Sequence, residues 1–427
     1  MTGIILAVII GVFILACILR VPIAFGLILA CLPFILLDAR FSTELVVQRM
    51  YAGLDSFILL AVPFFVFAAS IMVASGVTDR LIDLARAMFG WIRGGLGIVN
   101  VGVSIGFSGM SGSSTADVAG TGTVLIPQMV KRGYPAAFAV GVTAASAVMS
   151  SIIPPSIQLI VWGSLTNTSI GAMFLGGIVP GLLMGVGMMV VAWLVARRKN
   201  FPKDDSFDAK ELGRTFVKAL PSLGIIVIVL GGFRLGIVTA TEAALLAVAY
   251  ALFLALVVYR SVTWRELGKV LVSSAKLTSQ TLFALAAASV LAYVLTVYRV
   301  PLLFQGAVES VPGWAVLSVI TVVFFILGLF MDALPAMAIM IPVMAPAVEM
   351  AGVDPVHYGI VAVLTLSLGL ITPPVGICLL VAASIGKIPV VKAVKPMLPF
   401  AGVILGVIVL CLIFPEIITW LPETLGG

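Results

Sequence analysis

Apolar residues run almost unbroken over residues 3 to 19, 57 to 75, 178 to 196, 223 to 233, 243 to 258, 280 to 297, 314 to 330 and 397 to 414. A helix that crosses a bilayer needs roughly 20 mostly apolar residues, so these stretches predict membrane spans. They must be helical, because lipid satisfies no backbone N–H or C=O group. The opening Met1-Thr2-Gly3 carries no basic n-region, and apolar character continues past Arg20 to Leu37. It therefore reads as retained membrane helix, not as a signal peptide.

Four segments break this pattern from within. Gly106-Phe-Ser-Gly-Met-Ser-Gly-Ser-Ser-Thr-Ala-Asp-Val-Ala-Gly-Thr-Gly122 places glycines, hydroxyls and a carboxylate at the depth of the bilayer. Glycine costs about 1 kcal/mol against alanine inside a helix, and non-helical backbone at that depth is tolerated only against protein or water. The segment predicts the tip of a re-entrant helical hairpin whose second arm opens near Thr115 and Ala116. Its counterpart is Leu327-Gly-Leu-Phe-Met-Asp-Ala-Leu-Pro335. There Gly328 loosens one arm, Asp332 occupies the tip and Pro335 suits the first turn of the next arm.

The other two segments are Ser150-Ser-Ile-Ile-Pro-Pro-Ser-Ile-Gln158 and Gly369-Leu-Ile-Thr-Pro-Pro-Val-Gly376. Double proline removes two N–H donors and clashes with the preceding turn, so each helix must open just before it. Carbonyls near Ile153 and Thr372 are then left without partners. Free carbonyls and hydroxyls are hard oxygen ligands suited to a dehydrated Na⁺, and a half-helix N-terminus beside them favours an anion. The duplication predicts two ion sites, one per half. An intramembrane carboxylate costs about 2.5–3.5 kcal/mol, so Asp117 and Asp332 need a purpose, as hairpin-tip caps or as neighbours of an ion site.

The interruptions are paired. Asp117-Val-Ala-Gly-Thr-Gly-Thr-Val-Leu-Ile-Pro127 aligns without a gap on Asp332-Ala-Leu-Pro-Ala-Met-Ala-Ile-Met-Ile-Pro342, and after a four-residue shift Gly133 matches Gly352 and Pro154-Pro155 matches Pro373-Pro374. Lys131-Arg132 follows the first copy, whereas Glu349 and Asp354 follow the second. The copies therefore cross the bilayer in opposite senses, as transporter repeats do. The predicted fold is an all-α polytopic membrane protein with an inverted repeat, two re-entrant hairpins and two broken helices. Residues 1 to 196 form the first half, 197 to 218 a charged cytoplasmic linker read as a solvated surface helix, and 219 to 427 the second half.

Composition sharpens this picture. Of the 427 residues, 62% are hydrophobic and 10% charged, against roughly 45–50% and 25% in soluble domains. With the N-terminus periplasmic, every Lys and Arg except Arg40, Arg49, Arg234 and Arg299 falls on the cytoplasmic side. That is the positive-inside bias, and it accounts for the net charge of +6 without nucleic acid. The cysteines, Cys17, Cys31, Cys378 and Cys411, show no CxxC spacing. His357 is the sole histidine, which excludes a multi-histidine metal site or a haem ligand pair within the chain. No GxxxxGK[ST] motif is present to hold a nucleotide.

Val62-Pro-Phe-Phe65, Gly76-Val-Thr-Asp-Arg-Leu81, Gly94-Gly-Leu96, Ser111-Gly-Ser113 with Ala116-Asp117, Val124-Leu-Ile-Pro127, Lys131-Arg-Gly-Tyr134, Ile153-Pro-Pro-Ser156 and Thr241-Glu242 together resemble the large membrane subunit of tripartite ATP-independent periplasmic (TRAP) transporters. The likeness covers nearly the whole chain. Ser114-Thr115 and Gly120-Thr121-Gly122 are richer in hydroxyls and glycine than the alanine-rich form of that family. The resemblance implies a multi-pass protein of the bacterial inner membrane, of elevator-type ion-transporter-superfamily architecture, that imports carboxylate-bearing solutes such as dicarboxylates or sialic acid with Na⁺. It also implies two partners, a periplasmic substrate-binding protein and a small membrane subunit.

By motif position it implies a first Na⁺ site at Ser111, Gly112, Ser113, Ser114 and Ile153, and a second at Gly328, Asp332, Gly369, Thr372 and Val375. Substrate is then expected near Ser108, Ser111, Thr115, Pro155, Ser156, Met331, Asp332, Pro373 and Pro374. Glu242 belongs to the scaffold, at a helix end. Two other readings compete. One is a stand-alone ion-coupled carboxylate symporter or antiporter that needs no binding protein. The other is an intramembrane serine protease, because Gly109-Met-Ser111-Gly resembles the nucleophile loop of rhomboid proteases. That chemistry needs a histidine base, and His357 is better read as a satisfied interfacial residue.

Overall fold

The computed structural model of the chain describes residues 2–19, 21–38, 40–202, 207–234, 236–308 and 312–425. The helices in chain order are α1 (Thr2–Ile18), α2 (Ile23–Leu37), α3 (Thr43–Ala52), α4 (Ala61–Ala74), α5 (Val77–Phe89), α6 (Gly95–Ser111), α7 (Ser114–Lys131), α8 (Ala136–Ala147), α9 (Ile157–Thr166) and α10 (Ile170–Arg198). The second half continues with α11 (Ala209–Arg234), α12 (Ala240–Phe253), α13 (Trp264–Val297), α14 (Val300–Val308), α15 (Gly313–Gly328), α16 (Ala333–Met350), α17 (Pro355–Gly369), α18 (Ile377–Ile385), α19 (Val390–Ile413) and α20 (Glu416–Leu425). No strand occurs among the described residues, and seven helices there are long and apolar enough to cross a membrane.

The predicted interruptions fall where the backbone rules put them. The α6–α7 pair turns at Gly112, whose φ of 59° lies in the left-handed region that glycine enters without strain. The α15–α16 pair turns over Leu329–Asp332. Before the first Pro-Pro pair, α8 gives way to a 3₁₀ turn at Val148–Ser151, and helix resumes at Ile157. Around the second pair helix stops at Gly369 and resumes at Ile377. Both Pro-Pro bonds are cis.

Helix α10 shows that the halves are inverted. Gly94, at the mouth of the first hairpin, donates its N–H to the Pro202 carbonyl at 3.4 Å and packs on Ala196, and the Tyr134 ring lies 5.0 Å from that of Phe201. All three partners sit at the C-terminal end of α10. The mouth of the second hairpin, with Ala345, Val348 and Val353, instead faces Thr168, Ser169 and Ala172 at the other end, across a small cavity. Twenty-nine residues at 1.5 Å each separate the two mouths by roughly 43 Å.

Two of the cations that break the positive-inside pattern find local partners. Arg40 pairs with Asp38 at 2.6 Å and lies 4.7 Å over the Tyr298 ring, while Arg49 lies 4.0 Å over Tyr293. Hydrogen bonds from Arg40, then from the Tyr298 hydroxyl, hold the Asp38 carboxyl well below the usual carboxylate range. The side chain of Arg234 lies outside the described residues. Along the linker, α10 runs to Arg198, and residues 209–218 are the opening turns of the long helix α11. Lys203, Asp204 and Asp205 lie outside the described residues.

Glu242 closes a helix end, as its motif suggested. Its carboxylate accepts from the Thr239 N–H at 2.7 Å and from the Thr239 hydroxyl at 2.9 Å, and Thr239 Oγ1 accepts from the Glu242 N–H. This is a capping box, and Thr241 ties the same turn to the Phe57 carbonyl at 3.0 Å. Loss of such a cap costs about 1 kcal/mol. Glu242→Ala is expected to lower the thermal midpoint of the purified protein by a few degrees, read by static light scattering on heating, while Glu242→Gln keeps most of the stability.

Candidate functional site

At the first hairpin tip, Ser113 caps α7 by accepting from the Ala116 N–H, and its Oγ lies 3.1 Å from Thr115 Oγ1. The second arm therefore opens at Ser114, slightly earlier than the sequence suggested. The Gly112 carbonyl accepts the Ile157 N–H at 3.2 Å, which docks the tip on the first broken helix. A Cβ on Gly112 would stand 2.6 Å from the Pro155 carbonyl oxygen, so this approach requires glycine.

Asp117 is not a cap, contrary to one of the two roles expected for it. Its fully buried carboxylate accepts from Ser150 at 2.9 Å and Thr121 at 3.1 Å, with Ser104 at 3.5 Å. The network continues through Ser104 to Ser146 and from Ser146 to Asn100, at 3.0 Å each, and from Asn100 to Thr143 at 2.7 Å. Hydroxyls on α6, α7 and the α8 exit thus clasp a carboxylate behind the tip. Buried polar groups need such partners.

The second tip uses the opposite choice. Asp332 is the N-cap of α16, accepting from the Ala333 N–H at 2.7 Å. The Leu329 carbonyl accepts the Val375 N–H at 3.3 Å, so this tip also docks on its broken helix. Gly328 and Gly369 meet backbone to backbone, with a Cβ on Gly369 placed 2.4 Å from the Gly328 carbonyl carbon. The Thr372 hydroxyl donates to the Leu368 carbonyl at 2.7 Å, which leaves its oxygen lone pairs available.

The two tips and the two broken helices meet at one cavity of about 620 Å³, within the size range of small-molecule sites. Gly112, Ser113, Ser114 and Thr115 line it from the first tip, Asp332, Leu334 and Pro335 from the second, and Ile157, Gln158, Leu370, Ile377 and Val381 from the broken helices. The opposite wall comes from Pro22 to Phe25 around the start of α2, Val62 and Val66 of α4, and Leu277, Gln280, Thr281, Phe283 and Ala284 of α13. Two buried polar atoms on this lining, Ser114 Oγ and Gln158 Oε1, have no hydrogen-bond partner among the described residues. An unpartnered buried polar atom is costly.

Of the residues expected at the substrate, Thr115 and Asp332 line the cavity, whereas Ser108, Ser111, Pro155, Ser156, Met331, Pro373 and Pro374 are not among its lining residues. Ser108 is committed to the Ser104 carbonyl and to Ser150. Ser156 caps α9 and donates to the Ser151 carbonyl. Of the residues expected at the first ion site, Gly112, Ser113 and Ser114 line the cavity, and Ile153 is half-buried behind it. At the second ion site, Val375 is tied to the hairpin turn that Gly328 leads into, and Gly369 packs on Gly328.

The wall from α13 was not anticipated. Gln280 and Thr281 line the cavity, and the run Thr278-Ser-Gln-Thr281 inside a long apolar span was the available signal, because polar residues within spans are expensive and tend to be functional. Gln158 was legible only as the continuation of a broken helix. His357 is occupied elsewhere, with Nε2 2.8 Å from the Cys411 carbonyl oxygen.

Residues 10–417 match the family model described as "Tripartite ATP-independent periplasmic transporter, DctM component". Three similar proteins illustrate the relationship. The 2,3-diketo-L-gulonate TRAP transporter large permease protein YiaN of Escherichia coli is 37% identical, over 93% of this chain and 94% of that one. The C4-dicarboxylate TRAP transporter large permease protein DctM of Pseudomonas aeruginosa is 38% identical over 92% of each. The sialic acid TRAP transporter large permease protein SiaM of Vibrio cholerae is 34% identical, over 95% and 96%. Among solved structures, the YdaH transporter of Alcanivorax borkumensis superposes with a TM-score of 0.58 at 16% identity, covering 89% of this chain and 90% of that one. That likeness is one of fold.

Proposed function

The chain belongs to the DctM component family of tripartite ATP-independent periplasmic transporters, and on that premise we propose that it couples Na⁺ entry to import of a carboxylate-bearing organic acid by an elevator motion. It is a multi-pass inner-membrane transporter, not an enzyme. Large permeases of this family work with a periplasmic binding protein and a small membrane subunit, so the acid reaches this chain from a binding protein.

One observation carries the reading: two oppositely oriented hairpin tips and two broken helices converge on one cavity, where Ser114 Oγ and Gln158 Oε1 lack partners. For the co-transported Na⁺, the first site would draw on Ser111, Gly112, Ser113, Ser114 and Ile153, and the second on Gly328, Asp332, Gly369, Thr372 and Val375. No backbone N–H among the described residues donates to the carbonyl of Ile153 or Thr372. These are neutral oxygens, which suit a hard monovalent ion. Hairpins and broken helices form one wall of the cavity, and α2, α4 and α13 form the other. A sliding boundary between these walls would carry the solute across.

Each net charge that follows a potential of 100 mV supplies about 2.3 kcal/mol, before any sodium gradient is counted. Two Na⁺ with one monoanion would concentrate solute without nucleotide. The test is uptake in proteoliposomes holding this chain and its small subunit, with binding protein and labelled organic acid outside. Uptake is expected to follow an inward sodium gradient and to vanish when K⁺ replaces Na⁺. Equal uptake in K⁺ would overturn sodium coupling, and uptake without the binding protein would establish a stand-alone symporter.

A further inference from the structure

Two serines touch across the boundary between the cavity's walls, at one end of it. Ser164 sits on α9, two turns, roughly 10 Å, beyond the cavity-lining Ile157. Ser56 precedes the 3₁₀ turn Phe57–Leu60 that leads into α4, whose Val62 and Val66 belong to the opposite wall. Their hydroxyl oxygens lie 3.0 Å apart. The Thr241 bond to the Phe57 carbonyl fixes the Ser56 turn to α12, so the contact joins one packed body to the other.

Ser164 departs from what other helical hydroxyls of this chain do. Thr166, on the same helix, donates to the carbonyl four residues back at 2.8 Å, and Ser70 does so on α4. Among the described residues, the Ser164 hydroxyl is instead hydrogen-bonded only to Ser56, and that of Ser56 only to Ser164. Both serines are half-buried. On parting, each can turn to water, and Ser164 also to its own helix, so the bond opens without stranding a buried polar group.

A second contact spans the same boundary at the same end. Phe174, early in α10 and buried, meets Phe233, late in α11, edge-on with ring centres 5.0 Å apart. Helix α10 belongs with the hairpins, because both of their mouths rest against it. Helix α11 belongs with α4 and α12, since the Tyr250 hydroxyl of α12 donates to its Pro221 carbonyl at 2.7 Å. In the orientation that the Lys and Arg pattern predicts, all four of these residues lie towards the periplasm. The cavity instead reaches Pro22 and Ile23, at the end of α2 that the same pattern places towards the cytoplasm.

If the walls slide as proposed above, these contacts cannot last through the cycle, because a hydrogen bond is lost within about an ångström of displacement. We propose that the Ser56–Ser164 pair, backed by Phe174 and Phe233, is a periplasmic closure: it shuts the cavity off from the periplasm in this end state and must part before the cavity opens there.

The test uses right-side-out vesicles holding the full chain with its small subunit in Na⁺. The variant carries Ser56→Cys and Ser164→Cys as a lock and Thr115→Cys as a reporter on the cavity lining, while the native Cys31, Cys378 and Cys411 are buried. Oxidation is expected to join the first two, seen as one cross-linked peptide by mass spectrometry. An impermeant maleimide added outside is expected to reach the thiol of Thr115→Cys before oxidation, at least about tenfold less after it, and again once dithiothreitol opens the lock. Labelling from the cytoplasmic face, in inverted vesicles, is expected to survive the lock. Outside labelling that continues in the fully oxidised protein, or no cross-link on oxidation, overturns this inference alone. Absence of outside labelling before oxidation overturns the sliding boundary with it.

Discussion

Asp332→Ala is expected to abolish most sodium activation of uptake, weakening apparent sodium affinity by roughly 30- to 150-fold. That range corresponds to about 2–3 kcal/mol, the cost of removing a charged partner from a buried site. The substitution also removes the α16 cap, where Asp332 accepts from Ala333, at about 1 kcal/mol of stability. Asp332→Asn separates the two effects, since Asn caps as well as Asp does. The Asn variant should melt like the parent and still lose sodium affinity. If the proposed second ion site holds both residues, Thr372→Val removes a neutral oxygen from it and should shift sodium affinity in the same direction by a smaller factor. Unchanged sodium activation in Asp332→Asn and Thr372→Val together would dispose of the second ion site.

The largest effect on stability is expected from Gly369→Val. The first added carbon would stand 2.4 Å from the Gly328 carbonyl carbon and 2.6 Å from its Cα and oxygen. These are backbone atoms, so no rotamer change makes room. Overpacking costs about 1–3 kcal/mol where side chains can yield, and more where they cannot. Gly369→Val should therefore fail to assemble, or melt many degrees below the parent, with Gly369→Ala intermediate. Gly402→Ala is the matched control. Nothing lies within 4 Å of a Cβ at that position, and the change should stay within about 0.5 kcal/mol. Equal melting of the two alanine variants would show that the hairpin and α17 do not touch as described.

How much of this was legible in the sequence depended on the kind of rule each residue broke. Pro154-Pro155, Pro373-Pro374 and the glycine run around Gly112 violate local backbone rules, so a single sequence placed both hairpins and both broken helices. The inversion was legible too, because Lys131 and Glu349 follow matching segments with opposite charge. The roles of the two aspartates were not. Asp117 and Asp332 occupy aligned positions, yet one is clasped from behind by Ser150 and Ser104 while the other caps its own helix. That choice depends on hydroxyls contributed by other helices, and in the second half Gly369 stands where the repeat has Ser150. The α13 wall escaped for a related reason. Only the packing of a distant helix against the tips shows that Gln280 and Thr281 share a cavity with Ser114 and Gln158.

Helix α10 bears on how the two hairpins are joined. Gly94 and Pro202 meet at one end of it, and Ala172 faces the Val348 region at the other. It acts as a ruler that fixes the spacing between the two re-entrant loops and so keeps their points opposed. Lengthening it by a single turn, about 5.4 Å, would separate those points without altering any residue that touches solute.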